Sequence, residues 1–214
     1  MKAEHKKKRP EPGSYSLEWK AGWEYGDHPP GIDSPNLAKL VVENPLQYLE
    51  SSKPHFILKD SSGRPRWVIR YYEAKRGQSY VTSVGSFHAP SSDRIVISSV
   101  QRVRSQYVPG TSKRFRWDPE AETAESKKLK ASLGKHPPDF ILSEFLKAHG
   151  DRLRQDISDG NVGASLEPGL VEFYPGVYDN LIGKFFKSTK DGEIILDPTK
   201  RLVRKSLQAQ TQSK

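Results

Sequence analysis

Between Lys53 and Val108 the chain runs in short stretches of aromatic and β-branched residues, each soon broken by Gly, Ser or Pro. Residues 55–60, 67–73, 79–84 and 94–108 read as strands, with turns at Ser61-Ser62-Gly63 and Lys75-Arg76-Gly77-Gln78. Strands joined by short turns pair antiparallel, which predicts a meander of about four strands. Within 67–73, Trp67, Ile69 and Tyr71 share one parity and point to a core, while Arg64, Arg66 and Arg70 share the other.

Ahead of this block, Ser34-Pro35 and Asn44-Pro45 each set a capping residue before a proline suited to a first helical turn. With Leu37, Leu40, Val41, Leu46 and Leu49 they predict two short helices, 35–43 and 45–51. Trp19, Trp23 and Tyr25 anchor a Pro/Gly loop at 26–31. After the block, Asp118-Pro119 opens a polar helix over 119–133, and a better-formed helix over 138–148 carries Phe140, Ile141, Phe145 and Leu146. Residues 160–169 read as loop, and 177–187 with 193–196 as a hairpin across Lys190-Asp191-Gly192. The expected class is α+β, with short N-terminal helices on an antiparallel meander, then a helical extension and a C-terminal hairpin. The expected divisions are a disordered basic arm (1–16), an α+β nucleic-acid-binding core (17–117), an extension or small second domain (118–205) and a disordered tail (206–214).

Charge is distributed unevenly. Residues 53–117 hold thirteen Lys/Arg against three acids, a surplus of ten in a protein of net charge +9. Residues 17–52 are acidic, with two Lys/Arg against six acids. A local cationic surplus suits a polyanion, because each Lys or Arg that meets a phosphate releases a counterion. It equally suits a solvated basic face. The expected partner is nucleic acid, RNA in particular. Arg64, Arg66 and Arg70 on one strand, with Arg102 and Arg104 on another, would form a flat cationic platform on one face; with Lys113, Arg114 and Arg116 it would meet phosphates, and Tyr72 and Tyr107 would stack on bases.

The chain has no Cys, which removes disulfides, thiolate metal sites and a Cys nucleophile. No apolar run approaches a membrane span, and no signal peptide is expected, so a cytoplasmic protein and an exported effector are both compatible with the sequence. None of the six His has the spacing of a helical zinc site, and no metal or other cofactor is expected. As a general acid or base, His28 beside Asp27 comes first, then His88 in a loop, then His55 at a strand start. Ser98 and Ser99, inside the apolar run 95–100, either hydrogen-bond within the sheet or face a site.

Glu43-Asn44-Pro45, then Phe56-Ile57-Leu58-Lys59-Asp60, Gly63-Arg64-Pro65-Arg66-Trp67-Val68-Ile69 and Arg94-Ile95-Val96-Ile97-Ser98-Ser99 together resemble the barnase–EndoU–colicin–RelE group of metal-independent ribonucleases. The resemblance spans about residues 24–108. It implies N-terminal helices before a meandering sheet, and RNA cleavage through the 2′-hydroxyl without metal. By the same resemblance His28 or His88 would be base or acid, Arg70 and Arg102 would stabilise the phosphorane charge, and Ser98 would orient a phosphate oxygen. The competing readings are a non-catalytic nucleic-acid-binding or structural accessory protein of a virus or mobile element, and a cell-wall hydrolase.

Overall fold

The computed structural model describes residues 13, 15–20, 54–63, 65–82, 87–102, 119–173 and 175–208. The elements in chain order are β1 (Tyr15–Lys20), β2 (His55–Asp60), β3 (Pro65–Ala74), β4 (Tyr80–Val81), β5 (Phe87–His88), β6 (Arg94–Arg102), α1 (Pro119–Leu133), α2 (Pro137–Ala148), α3 (Gly150–Ser158), β7 (Gly163–Leu166), α4 (Leu170–Phe173), α5 (Pro175–Phe185), β8 (Phe186–Ser188), β9 (Ile194–Leu196) and α6 (Arg201–Gln208). The class is mixed α and β, as expected. The expected helices 35–43 and 45–51 lie outside the described residues.

The described residues form a seven-stranded sheet in the order β1-β2-β3-β6-β7-β9-β8, rather than the four-stranded meander expected. Neighbours are antiparallel except β6 and β7, which are parallel. A parallel neighbour needs a long crossover, and α1, α2 and α3 lie within it. The boundary expected at 117/118 therefore falls within a connection of one continuous sheet. The short β4–β5 ladder forms a separate pair, so Tyr80 and Val81, of the strand expected at 79–84, do not join the meander.

One face of the sheet carries the main core. Trp67, Ile69 and Tyr71 lie on it as the alternation predicts, with Phe56, Leu58, Ile95, Ile97 and Val100. The helices that cover it follow the first strands in sequence. On α2, Phe140, Ile141, Phe145 and Leu146 form the buried stripe, and α5 and α6 add Tyr178, Leu181, Phe185, Val203 and Leu207. Phe145 sits in an aromatic cluster, with ring centroids 5.0 Å from Tyr71, 5.8 Å from Phe56 and 4.7 Å from His149.

Several elements depart from the sequence reading for local reasons. Tyr15, Leu17 and Trp19 alternate in β1, so Tyr15 and Ser16, expected in the disordered arm, are strand, and Trp19 packs on Phe56 at 4.4 Å; the loop expected at 26–31 lies outside the described residues. The segment expected as loop holds β7, which begins at Gly163. That glycine has φ of +72°, and a Cβ there would stand 3.3 Å from Leu153 on α3. Glycine meets both demands without strain. Residues 177–185 are helix rather than strand, because Tyr178, Leu181 and Phe185 recur at helical spacing. The turn at 190–192 is present and joins β8 to β9. Ser206 and Leu207, expected in a frayed tail, are buried on α6.

Two predictions follow from the aromatic cluster. Phe145→Ala should lower the unfolding free energy by about 3–5 kcal/mol, read by denaturant melts, because it opens a cavity among fixed rings. His149 stands edge-on to Trp19 at 5.2 Å and to Tyr71 at 5.5 Å. Burial, then the Arg152 charge, pushes its pKa below 6.5, while Glu73 opposes them. Both states are neutral above the unfolded value. Below it the unfolded chain binds the proton first, so stability falls as pH drops from 6.5 through the folded value. The same sign applies to His88, which burial also pushes down. His149→Phe should therefore reduce, without abolishing, the loss of Tm between neutral and mildly acid buffer. An unaltered pH slope would show that His149 does not titrate against folding.

Candidate active site

The second face of the sheet is also buried, and on it polar side chains stand among Ile57, Val68 and Val96. In register, Lys20 stands opposite His55, His55 opposite Arg70, and Arg70 opposite Ser99. Paired residues project to the same face, so His55, Arg70 and Ser99 form a row across three strands spaced about 4.8 Å apart. His55 and Ser99 are 1% exposed and Arg70 7%. Arg70 Nε donates to His55 Nε2 at 3.0 Å. That nitrogen therefore holds a lone pair, and the ring is neutral with its hydrogen on Nδ1. Burial lowers the Arg70 pKa to about 10, with Tyr178 acting in the opposite sense, so the guanidinium is still charged at neutral pH. Ser99 Oγ is buried with no hydrogen-bond partner among the described residues.

Ser99 reaches this face through a β-bulge. Arg70 pairs with Ser99, but the next residue, Tyr71, pairs with Ile97, so Ser98 is the extra residue on β6. Without it, Ser99 would share the core parity of Ile95 and Ile97. With it, Ser99 faces Arg70 and Val100 returns to the core. The face opens to solvent close by, since Gln101, opposite Val68, is exposed.

A second polar group lies towards the start of β6. Arg94 is 0% exposed, and its guanidinium donates to Glu193 Oε1 at 3.0 Å, Ser91 Oγ at 2.7 Å and Ser92 Oγ at 3.2 Å. His88 pairs with Tyr80 in the β4–β5 ladder, and Tyr80 packs on Tyr72 with centroids 5.2 Å apart. Burial pushes the His88 pKa down; Glu193 and Glu167 raise it and Arg94 lowers it. Ser165, opposite Val96, is buried with its hydroxyl unpartnered among the described residues.

Of the residues expected at a site, Arg70 stands in this row; its neighbours there are His55, which the sequence ranked third among the histidines, and Ser99 in place of the expected Ser98. Ser98 is buried at the bulge itself. The flat, exposed cationic platform expected from Arg66, Arg70 and Arg102 is corrected. Arg66 is buried and donates from Nε to Asp60 Oδ2 at 2.7 Å, which ties it to the turn where Ser62 N also meets Asp60. Arg102 stands opposite Trp67, on the parity of the core face, and is exposed at the strand end. Tyr72 lies against Tyr80 and is half-buried. His28, Arg64, Arg104, Tyr107, Lys113, Arg114 and Arg116 lie outside the described residues. Tyr178, Glu167 and Ser165 were not singled out, because nothing local in the sequence brings them to strand β6. Among the described residues, no three His, Asp or Glu converge as metal ligands.

No known family, curated protein or solved structure matches the chain.

An unpartnered buried hydroxyl lowers stability, because its desolvation is not repaid by a bond. Ser99→Ala and Ser165→Ala should therefore leave Tm unchanged or raise it, by up to about 1 kcal/mol of unfolding free energy. Clear destabilisation of either variant would mean that its hydroxyl is bonded in solution.

Proposed function

We propose that the chain is a nucleic-acid-binding protein that acts as a metal-independent endoribonuclease, cleaving RNA through the 2′-hydroxyl. The observation that carries this reading is the row His55–Arg70–Ser99: an imidazole nitrogen, a buried guanidinium and an unpartnered hydroxyl on one face, beside an exposed position. Around it, Arg76 and Arg102 of the basic block are exposed and can attract a polyanion, while Lys75, also exposed, is paired with Asp93 at 3.0 Å.

At rest, Arg70 Nε donates to a neutral acceptor. A phosphodiester is a charged acceptor that fits the guanidinium fork, and it competes for that donor. Its arrival draws Arg70 onto the phosphate oxygens and frees the His55 Nε2 lone pair beside the bound phosphate. His55 then takes the proton of the 2′-hydroxyl, and the 2′-oxygen bonds to phosphorus. The P–O5′ bond breaks, the 5′-oxygen takes a proton from solvent, and a 2′,3′-cyclic phosphate is left. Arg70 and the Ser99 hydroxyl hold the phosphoryl oxygens as negative charge grows. His88, expected as base or acid, has no part in this step.

The test is incubation of tRNA and single-stranded DNA with the protein in excess EDTA, followed on a denaturing gel. RNA should fragment while DNA, which lacks the 2′-hydroxyl, stays intact. Arg70→Ala should slow cleavage by about 10²-fold or more, and Arg70→Lys should rescue it only in part, because the ammonium lacks the fork. Thermal melts of each variant separate lost catalysis from lost folding. Undiminished cleavage by folded Arg70→Ala protein would remove the row from the mechanism. Intact RNA with a salt-sensitive mobility shift would favour the non-catalytic binding reading, for which the exposed Arg76 and Arg102 suffice.

A further inference from the structure

The bulge that delivers Ser99 has an identifiable support. Strand β7 accompanies β6 only as far as the Ile97–Leu166 pair, after which Glu167 N closes the ladder on Ile97 O at 2.9 Å. Past that point no residue of β7 stands beside β6, and the buried amides of β6 need other acceptors. Val100 N donates to the Tyr178 hydroxyl at 2.9 Å, in a buried contact between residues 78 apart in the sequence. Tyr178 belongs to the buried stripe of α5 with Leu181 and Phe185. A phenylalanine would fill that stripe equally well, so the hydroxyl is what distinguishes the residue chosen there.

We infer that Tyr178 is a positioning residue for Ser99: by holding the Val100 amide, its hydroxyl fixes the β6 bulge that turns Ser99 towards Arg70. This rests on the ribonuclease reading and adds a device to it. Ser99 is set between two anchors, its pairing with Arg70 on one side and the Tyr178 bond at the next residue on the other. Loss of the second anchor leaves the ring packed and the strand in place, but lets the bulge shift. A displacement of about 1 Å at a group that holds a reacting phosphate can slow a reaction by up to 10²-fold.

The experiment compares wild type, Tyr178→Phe, Ser99→Ala and the double variant on one RNA oligonucleotide in EDTA, below the melting transition of each. Hydrogen exchange at the Val100 amide is measured alongside. The expected result is a roughly 10- to 100-fold fall in kcat for Tyr178→Phe with KM little changed, and faster exchange at Val100. The double variant should be no slower than Ser99→Ala, because Tyr178 acts through Ser99. Wild-type kcat in Tyr178→Phe, or losses that multiply in the double variant, would overturn the inference while leaving the ribonuclease reading intact. Unchanged exchange at Val100 would also overturn it, by showing that the bulge does not depend on the hydroxyl. Wild-type protein that cleaves no RNA would sink the reading, and the inference with it.

Discussion

Strand β6 is buried on both faces from Arg94 to Val100, and it is where the two halves of the fold join. Its antiparallel partner β3 comes from the first half and its parallel partner β7 from the second. A strand in that position must satisfy two cores at once. One side is met by Ile95, Ile97 and Val100 against the helices. The other carries Arg94, Val96 and Ser99. The bulge at Ser98 lets β6 change which residues serve which face partway along its length. A register slip there would move Ser99 into the core and Val100 out of it, so core packing and the polar row constrain each other.

The polar side raises a physical question, because burying hydroxyls and guanidinium groups costs free energy unless they are bonded. Three buried arginines answer it in different ways. Arg66 is held by Asp60, and Arg94 by Glu193 and two serines, and both arrangements brace a turn or loop against the sheet. At Arg70 the acceptor on Nε is an imidazole. The first two are ion pairs of the kind that fix geometry, and exchanging their partners would leave a carboxylate stranded. At the third, the acceptor that a phosphate displaces from Nε is an imidazole and not a carboxylate. For that reason Arg70 carries the proposed chemistry, although all three arginines look alike in the sequence.

Much of the frame could be read directly from the residues. Strands β2, β3 and β6, helices α1 and α2, and the core parity of Trp67, Ile69 and Tyr71 followed from alternation and capping. The His55–Arg70 pairing was not legible, because Lys59 pairs with Pro65 about a turn centred on Ser62 and an irregularity between Leu58 and Lys59 shifts the register before His55 is reached. Strand β1 shows in the alternation of Tyr15, Leu17 and Trp19, but the basic arm before it and the Pro/Gly run after it are stronger local signals for irregular chain. Strand β7 was not legible. Its four residues, Gly-Ala-Ser-Leu, have weak strand propensity, and only the parallel pairing with β6 makes them a strand. The bulge was hidden for a related reason: parity arguments assume unbroken alternation, and a single extra residue inverts every assignment beyond it. Arg102 was placed on the wrong face on that account.

The same inversion explains why net charge was a poor guide to the site's form. Thirteen basic residues in 65 positions suggested an open cationic platform. The fold instead buries Arg66, Arg70 and Arg94 and leaves Lys75, Arg76 and Arg102 at the surface. Charge in the two places does different work. Exposed cations act over a Debye length, are screened by salt, and help a polyanion arrive without fixing its register. A guanidinium held away from water interacts far more strongly with one phosphate and loses little freedom in doing so. Salt should therefore weaken RNA association through the surface group and leave the step at Arg70 much less affected. On this reading, raising ionic strength increases KM while kcat changes little. A parallel collapse of both would mean that the surface cations, and not the buried row, make the contacts that count in the transition state.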